Sequence, residues 1–169
     1  MPETVDANTP KPAKPSVWKS FSQPAAWTMF YFGFASGLPF LLVAGTLAYW
    51  LKENGIALKE ITWIASAGMT YALKFLWAPL LDNVQVPVLA TLGRRRSWLF
   101  LAQLGVVIGL VAMAWITPTH LSLFVVFTLL LAFSGATQDI AVDAYRIEIA
   151  PTEDQGALTA VYSLGYRIA

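Results

Sequence analysis

LSLFVVFTLLLAFSGATQDIAVDAYRIE, Leu121 to Glu148, decides the reading of this chain. From Leu121 to Phe133 no residue is charged. The same segment then carries Asp139, Asp143 and Arg146 at spacings that put all three on one side of a helix. A helix this apolar belongs in lipid, and ionised groups at its end are expensive there unless they meet partners or water.

The composition extends that reading to the whole chain. Of the 169 residues, 57% are hydrophobic and only 12% charged, against about 25% charged in soluble domains. Three further windows read as membrane spans: Trp27 to Leu51 without a charge, Ile61 to Leu81 with Lys74 alone, and Trp98 to Ile116 without a charge. The fourth is Leu121 to about Ala141. At about 1.5 Å rise per residue each covers the roughly 30 Å hydrocarbon core. A fifth apolar segment begins near Ala157 and reaches Ala169, too short to span. The expected fold is an all-α, polytopic transmembrane bundle, incomplete as given, with four full spans and part of a fifth. Residues 1–26 hold Pro2, Pro10, Pro12, Pro15 and Pro24 and read as a disordered or interfacial cytoplasmic tail ahead of a bundle over 27–169.

Orientation follows from the cations. Lys11, Lys14, Lys19, Arg94, Arg95, Arg96 and Arg146 share one side, and the opposite loops offer Lys52 and Lys59. That bias places the N-terminus in the cytoplasm. Tryptophans such as Trp27, Trp50, Trp98 and Trp115 sit at span borders as interfacial anchors. Gly33 with Gly37, and Gly105 with Gly109, form G-x-x-x-G pairs that let helix backbones approach inside lipid. Pro39 removes a backbone bond and is expected to bend span one.

Two groups of charges need explanation. Lys74 lies about 10 Å below the end of span two at helical rise, either snorkelling to the interface or facing a water-filled cavity. Arg146 is placed to neutralise Asp143. Asp139 lies deeper, and its partner stays open among Lys74, the Arg94–Arg96 cluster and Arg167. Glu148 points about 180° from Asp139 and is expected to be solvated. Two roles compete for these residues: a static clamp between helices, or a carboxylate that takes up and releases a proton during transport.

Several function classes fall away. There is no cysteine and only one histidine, so no thiolate or histidine metal site, no nucleophile set and no resident cofactor is expected. Walker-type and dinucleotide glycine motifs are absent. The chain is not expected to be an enzyme or to bind nucleic acid.

A family resemblance then carries the residues further. Asp82 closing span two and GRRR, Gly93 to Arg96, opening span three resemble the cytoplasmic loop motif of the major facilitator superfamily. This copy departs from it, with Ala78 in place of the leading glycine and a longer gap between Asp82 and Gly93. With SGLPFLLVAGTLAYWLKENGI, YALKFLWAPLLDN, GRRRSWLFLAQL, ATQDIAVDAYRIEIAP and GALTAVYSLGYRIA, the chain resembles the AmpG-type muropeptide permeases of that superfamily over about residues 17–169. The acetyl-coenzyme A transporters share parts of the pattern. The resemblance implies the N-terminal half of a two-half carrier in the inner membrane, completed by the carrier's remaining helices. It implies proton-driven import of N-acetylglucosaminyl-anhydro-muramyl peptide. Asp82, Gly93, Arg94, Arg95 and Arg96 would then gate the cytoplasmic side, and Gln138, Asp139, Asp143 and Arg146 would match the charged end of the fourth helix. Lys74 and Arg167 join that network as candidates for coupling. The competing readings are another carrier of the superfamily or a non-transporting membrane scaffold.

Overall fold

The structure is a computed structural model and describes residues 22–117 and 120–169, with Ala44 and Ala90 described by backbone alone. The tail reading over residues 1–21, with its three lysines, lies outside the described residues.

Every regular element among the described residues is helical. Helix α1, Pro24–Leu41, opens with proline in its first turn, where the missing N–H is no loss. It starts three residues earlier than the expected span. The chain continues through a π-helical segment, Leu42–Thr46, into α2, Leu47–Glu53. Pro39 is accommodated inside α1, and the irregularity falls just after it. Gly55 ends this run with φ 78°, a left-handed cap that lets Ile56 N–H reach Leu51 O at 3.1 Å.

The second expected span, 61–81, is not one helix. Short pieces succeed each other: α3, Leu58–Ala65, a 3-10 turn Ser66–Gly68, α4, Met69–Leu73, a 3-10 turn Lys74–Leu76, and α5, Ala78–Asn83. Lys74 therefore stands where the α-helical ladder is interrupted. A further 3-10 stretch, Pro87–Leu92, leads to Gly93 at φ 82°. Helix α6, Arg94–Trp115, takes the whole arginine cluster into its first turn, four residues ahead of the expected start. Helix α7, Leu121–Ile149, runs eight residues past the expected end at Ala141, so its charged tail is helical throughout. After a 3-10 turn at Thr152–Asp154 comes α8, Gln155–Ile168.

Among the described residues, only α6 and α7 are single helices long and apolar enough to cross a membrane. The two earlier stretches expected as spans are built from shorter helical pieces.

Glycines set the close pairings. A Cβ on Gly33 would overlap the backbone carbonyl of Tyr162, one on Gly37 would come 2.5 Å from the carbonyl oxygen of Tyr166, and one on Gly165 would overlap the Phe30 carbonyl. Those three positions lock α1 against α8. The second pair, α6 and α7, meets at Gly105 against Ser134 and at Gly109 against Leu131. Buried apolar side chains form a cluster near the charged ends, with Met29, Leu81, Leu99, Val142 and Leu158, and another toward the opposite ends, with Leu51, Ile61, Ile64 and Phe124. The outward surface is also apolar: Phe34, Leu41, Trp63, Phe75, Ile108, Val111 and Leu129 are exposed. A water-soluble monomer does not present so much contiguous apolar surface; lipid is the solvent that suits it.

Candidate functional site

Lys74, at the break in the second tract, reaches across to α7. Its Nζ lies 3.9 Å from Asp139 Oδ2. The other oxygen of Asp139 accepts a hydrogen bond from the Tyr162 hydroxyl at 3.2 Å. Of the partners left open for Asp139, the structure selects Lys74. These groups line a cavity of about 470 Å³ with Asp143, Ser163, Tyr166 and Arg167. Tyr162 and Tyr166 are one turn apart on α8, so both rings face the same side, and they lie 6.4 Å from each other. Arg167 makes no ion pair among the described residues. The cavity thus gathers two cations, two carboxylates and two phenols in a membrane-type bundle. That donor set suits a polar solute with anionic groups.

Immediately before Asp139, Gln138 is buried, and its Nε2 donates to Ser36 Oγ on α1 at 3.1 Å. Thr137 accepts from Trp77 Nε1 at 3.2 Å. Polar groups on α7 are therefore tied to α1 and to the turn before α5.

Toward the charged end of α7, Arg146 is held by several groups. Its guanidinium lies 3.3 Å from Asp143 Oδ1 and 3.4 Å from Gln155 Oε1, and it also donates to the Thr159 hydroxyl. Gln155 in turn donates to the backbone oxygens of Arg146 and Ala150 at 3.0 and 2.8 Å. The turn from α7 to α8 is fixed by that exchange.

A second cluster sits where α5, α6 and α7 end. Arg95 Nη1 contacts Asp82 Oδ1 at 2.6 Å, and Arg95 Nε contacts Glu148 Oε1 at 2.9 Å. Glu148 is exposed, as its position on α7 suggested, and also gains an ion-pair partner that the sequence did not give. It faces away from Asp139, and α6 occupies that side. Arg94 and Arg96 flank Arg95 and are exposed; with Gly93, Tyr145 and Glu148 they line a 240 Å³ recess. Trp98 Nε1 donates to Val84 O at 2.8 Å and braces the long loop between Asp82 and Gly93.

The residues that sequence reasoning missed are Ser36, Tyr71, Gly135, Tyr162, Ser163 and Tyr166. A tyrosine pair spaced by four in GALTAVYSLGYRIA was the available signal for two of them.

A broken-helix bundle with a charged cavity between its members and an ion-pair cluster at one end defines a helical membrane protein of carrier type. The profile of the Major Facilitator Superfamily matches residues 27–169, and the chain belongs to that superfamily. It is 39% identical over 149 residues to the anhydromuropeptide permease of Escherichia coli K12, a match covering 88% of this chain and 30% of the relative. It is 40% identical over 153 residues to putative transporter AmpG 4 of Rickettsia conorii, covering 90% of this chain and 37% of that protein. Putative transporter AmpG 1 of Rickettsia felis is 35% identical over 139 residues, covering 81% and 32%. The chain spans about a third of the length of these curated relatives.

Proposed function

We propose that the chain forms part of a proton-coupled secondary carrier of the inner membrane that imports anhydromuropeptides, fragments released from peptidoglycan. The observation that carries this is the cavity shared by Lys74, Asp139, Tyr162, Tyr166 and Arg167 in a chain so similar to an anhydromuropeptide permease. Its cations offer contacts to the carboxylates of a peptide stem, and its phenols offer hydrogen bonds and flat apolar faces to sugar rings.

Asp139 is the proposed proton carrier. Lys74 lies at ion-pair distance from it without a hydrogen bond between them. A solute carboxylate that draws Lys74 away leaves Asp139 to be neutralised by a proton, and the proton's departure restores the pair. Solute and proton then share one switch. Asp143 and Arg146 hold the inner end of α7 against α8 while this happens.

Asp82, Gly93 and Arg94 to Arg96 are the proposed cytoplasmic gate, with Arg95 as the latch. Rocking of helix groups in alternating access requires contacts that break and re-form at the ends of the path. The N-terminus lies on the cytoplasmic side in this reading. The remaining length of the relatives supplies the facing helices of the path. This makes the chain a carrier component rather than an enzyme.

Uptake of labelled anhydromuropeptide into membrane vesicles made from cells expressing the protein tests the reading. Accumulation that collapses on adding a protonophore is the expected result. Accumulation indifferent to the protonophore removes proton coupling, and no protein-dependent uptake removes the solute.

A further inference from the structure

The Tyr71 hydroxyl is the one buried side-chain polar atom among the described residues that no protein group hydrogen-bonds. Leaving a buried hydroxyl unpaired is costly, so a protein that keeps one usually has a use for it. Gly135 on α7 makes the space: a Cβ there would overlap the hydroxyl, and Pro39 Cβ lies 3.7 Å from the same point. Phe40 meets the Tyr71 ring edge-on, centroids 5.3 Å apart, and lies 6.1 Å from Tyr166, a wall of the cavity. Tyr71 precedes Lys74 by three residues, and Gly135 precedes Asp139 by four. The hydroxyl therefore stands one helical turn beyond the Lys74–Asp139 pair, with Phe40 touching both it and the cavity wall. Phe40 is borne by the last residues of α1, between Pro39 and the π-helical segment. Such segments are places where a helix changes geometry cheaply.

We propose that Phe40, Tyr71 and Tyr166 form a carbohydrate subsite next to the cavity, closed from it by Phe40 in this structure, with the Tyr71 hydroxyl as its polar contact. This rests on the reading that the solute is an anhydromuropeptide, and it divides that solute between two regions. Sugar rings present apolar C–H faces, which pack on aromatic rings, and hydroxyls, which need a group able both to donate and to accept. A phenol beside two further aromatic rings, proline and glycine supplies that chemistry and no charge. Carboxylates of the peptide stem go instead to Lys74 and Arg167. Rotation of Phe40 at the irregular end of α1 opens the way from the cavity to Tyr71.

The test is binding to the full chain in lipid nanodiscs, with three probes: intact anhydromuropeptide, its peptide-free disaccharide and the free stem peptide. Tyr71→Phe is expected to weaken the intact solute and the disaccharide about tenfold, the loss of one good hydrogen bond. It leaves the stem peptide unaffected and does not lower the melting temperature. Arg167→Gln is expected to weaken the intact solute and the peptide and to spare the disaccharide. Unchanged affinity of Tyr71→Phe for the intact solute, or an equal loss for the free peptide, overturns the subsite. If the unaltered protein binds none of the three probes, the solute reading itself fails and takes the subsite with it.

Discussion

Arg95 holds two carboxylates from two other helices, and the question at the scale of the residue is what that is worth. Its own side chain is 15% exposed, but Asp82 and Glu148 are 54% and 49% exposed. Half-exposed ion pairs are screened and contribute about 0–1 kcal/mol each. The cluster therefore matters little for stability and has a better use as a contact that breaks readily. Arg95→Lys is expected to shift thermal unfolding by only a degree or two, roughly what 0.5 kcal/mol does to a domain of this size, because a single ammonium cannot grip two carboxylates as the guanidinium does. Solute uptake by the same variant is expected to fall about tenfold; uptake at the unaltered rate speaks against a gate. Asp139→Asn separates coupling from binding. The variant is expected to lose uphill accumulation while keeping solute exchange across vesicles, and retained uphill accumulation removes Asp139 from the proton step. Asp82, Lys74, Asp139 and the arginine cluster were legible as residues, since charges in apolar runs stand out. Their partners were less so. The helical angle gave the direction in which Glu148 points, but which helix stands on that side is a property of the packing, and beside the expected solvent lies Arg95 of α6.

At the scale of the element, the close helix pairs stand on glycine, and two of the pairs were readable from spacing alone. Gly33 with Gly37 and Gly105 with Gly109 mark the α1–α8 and α6–α7 crossings. Gly165 and Gly135, which lie outside such a spacing, were not found, because a single glycine carries no period. Gly33→Ala is expected to destabilise by about 1–3 kcal/mol, since the Tyr162 backbone must retreat from the new methyl. Gly45→Ala, in the π-helical segment, meets nothing within 4 Å and is expected to stay within about 0.5 kcal/mol. Thermal unfolding in detergent compares the two, and equal effects contradict the assigned packing. The breaks in the second tract, at Ser66–Gly68 and Lys74–Leu76, were hidden in the sequence. Lys74 is the one charge across them, a single charge does not mark a helix break, and neither carries a proline. Their geometry comes from neighbours, with Tyr71 seated against Gly135 and Lys74 drawn to Asp139.

For the whole molecule, composition carried most of the fold. A chain with 12% charged residues that leaves Phe34, Trp63, Phe75 and Val111 exposed has lipid as its solvent. Helix ends were less legible. The arginines and the carboxylates of α7 lie inside helices that run past the apolar stretches, because a helix continues as long as its backbone bonds are satisfied, whatever the solvent. The cavity was not legible at all, since its walls come from three separate stretches of chain. The proposed path depends on those charged ends lying together at the cytoplasmic face, and the natural absence of cysteine makes that directly measurable. Single cysteines placed by Thr91→Cys, in the loop before Gly93, and Glu53→Cys, at the end of α2, report the two sides. With a membrane-impermeant maleimide, the cysteine at 91 is expected to react only in inverted vesicles and the cysteine at 53 only in intact, outer-membrane-permeabilised cells. Labelling of position 91 from outside, or of both positions from one side, contradicts a bundle with its ionised mouth facing the cytoplasm.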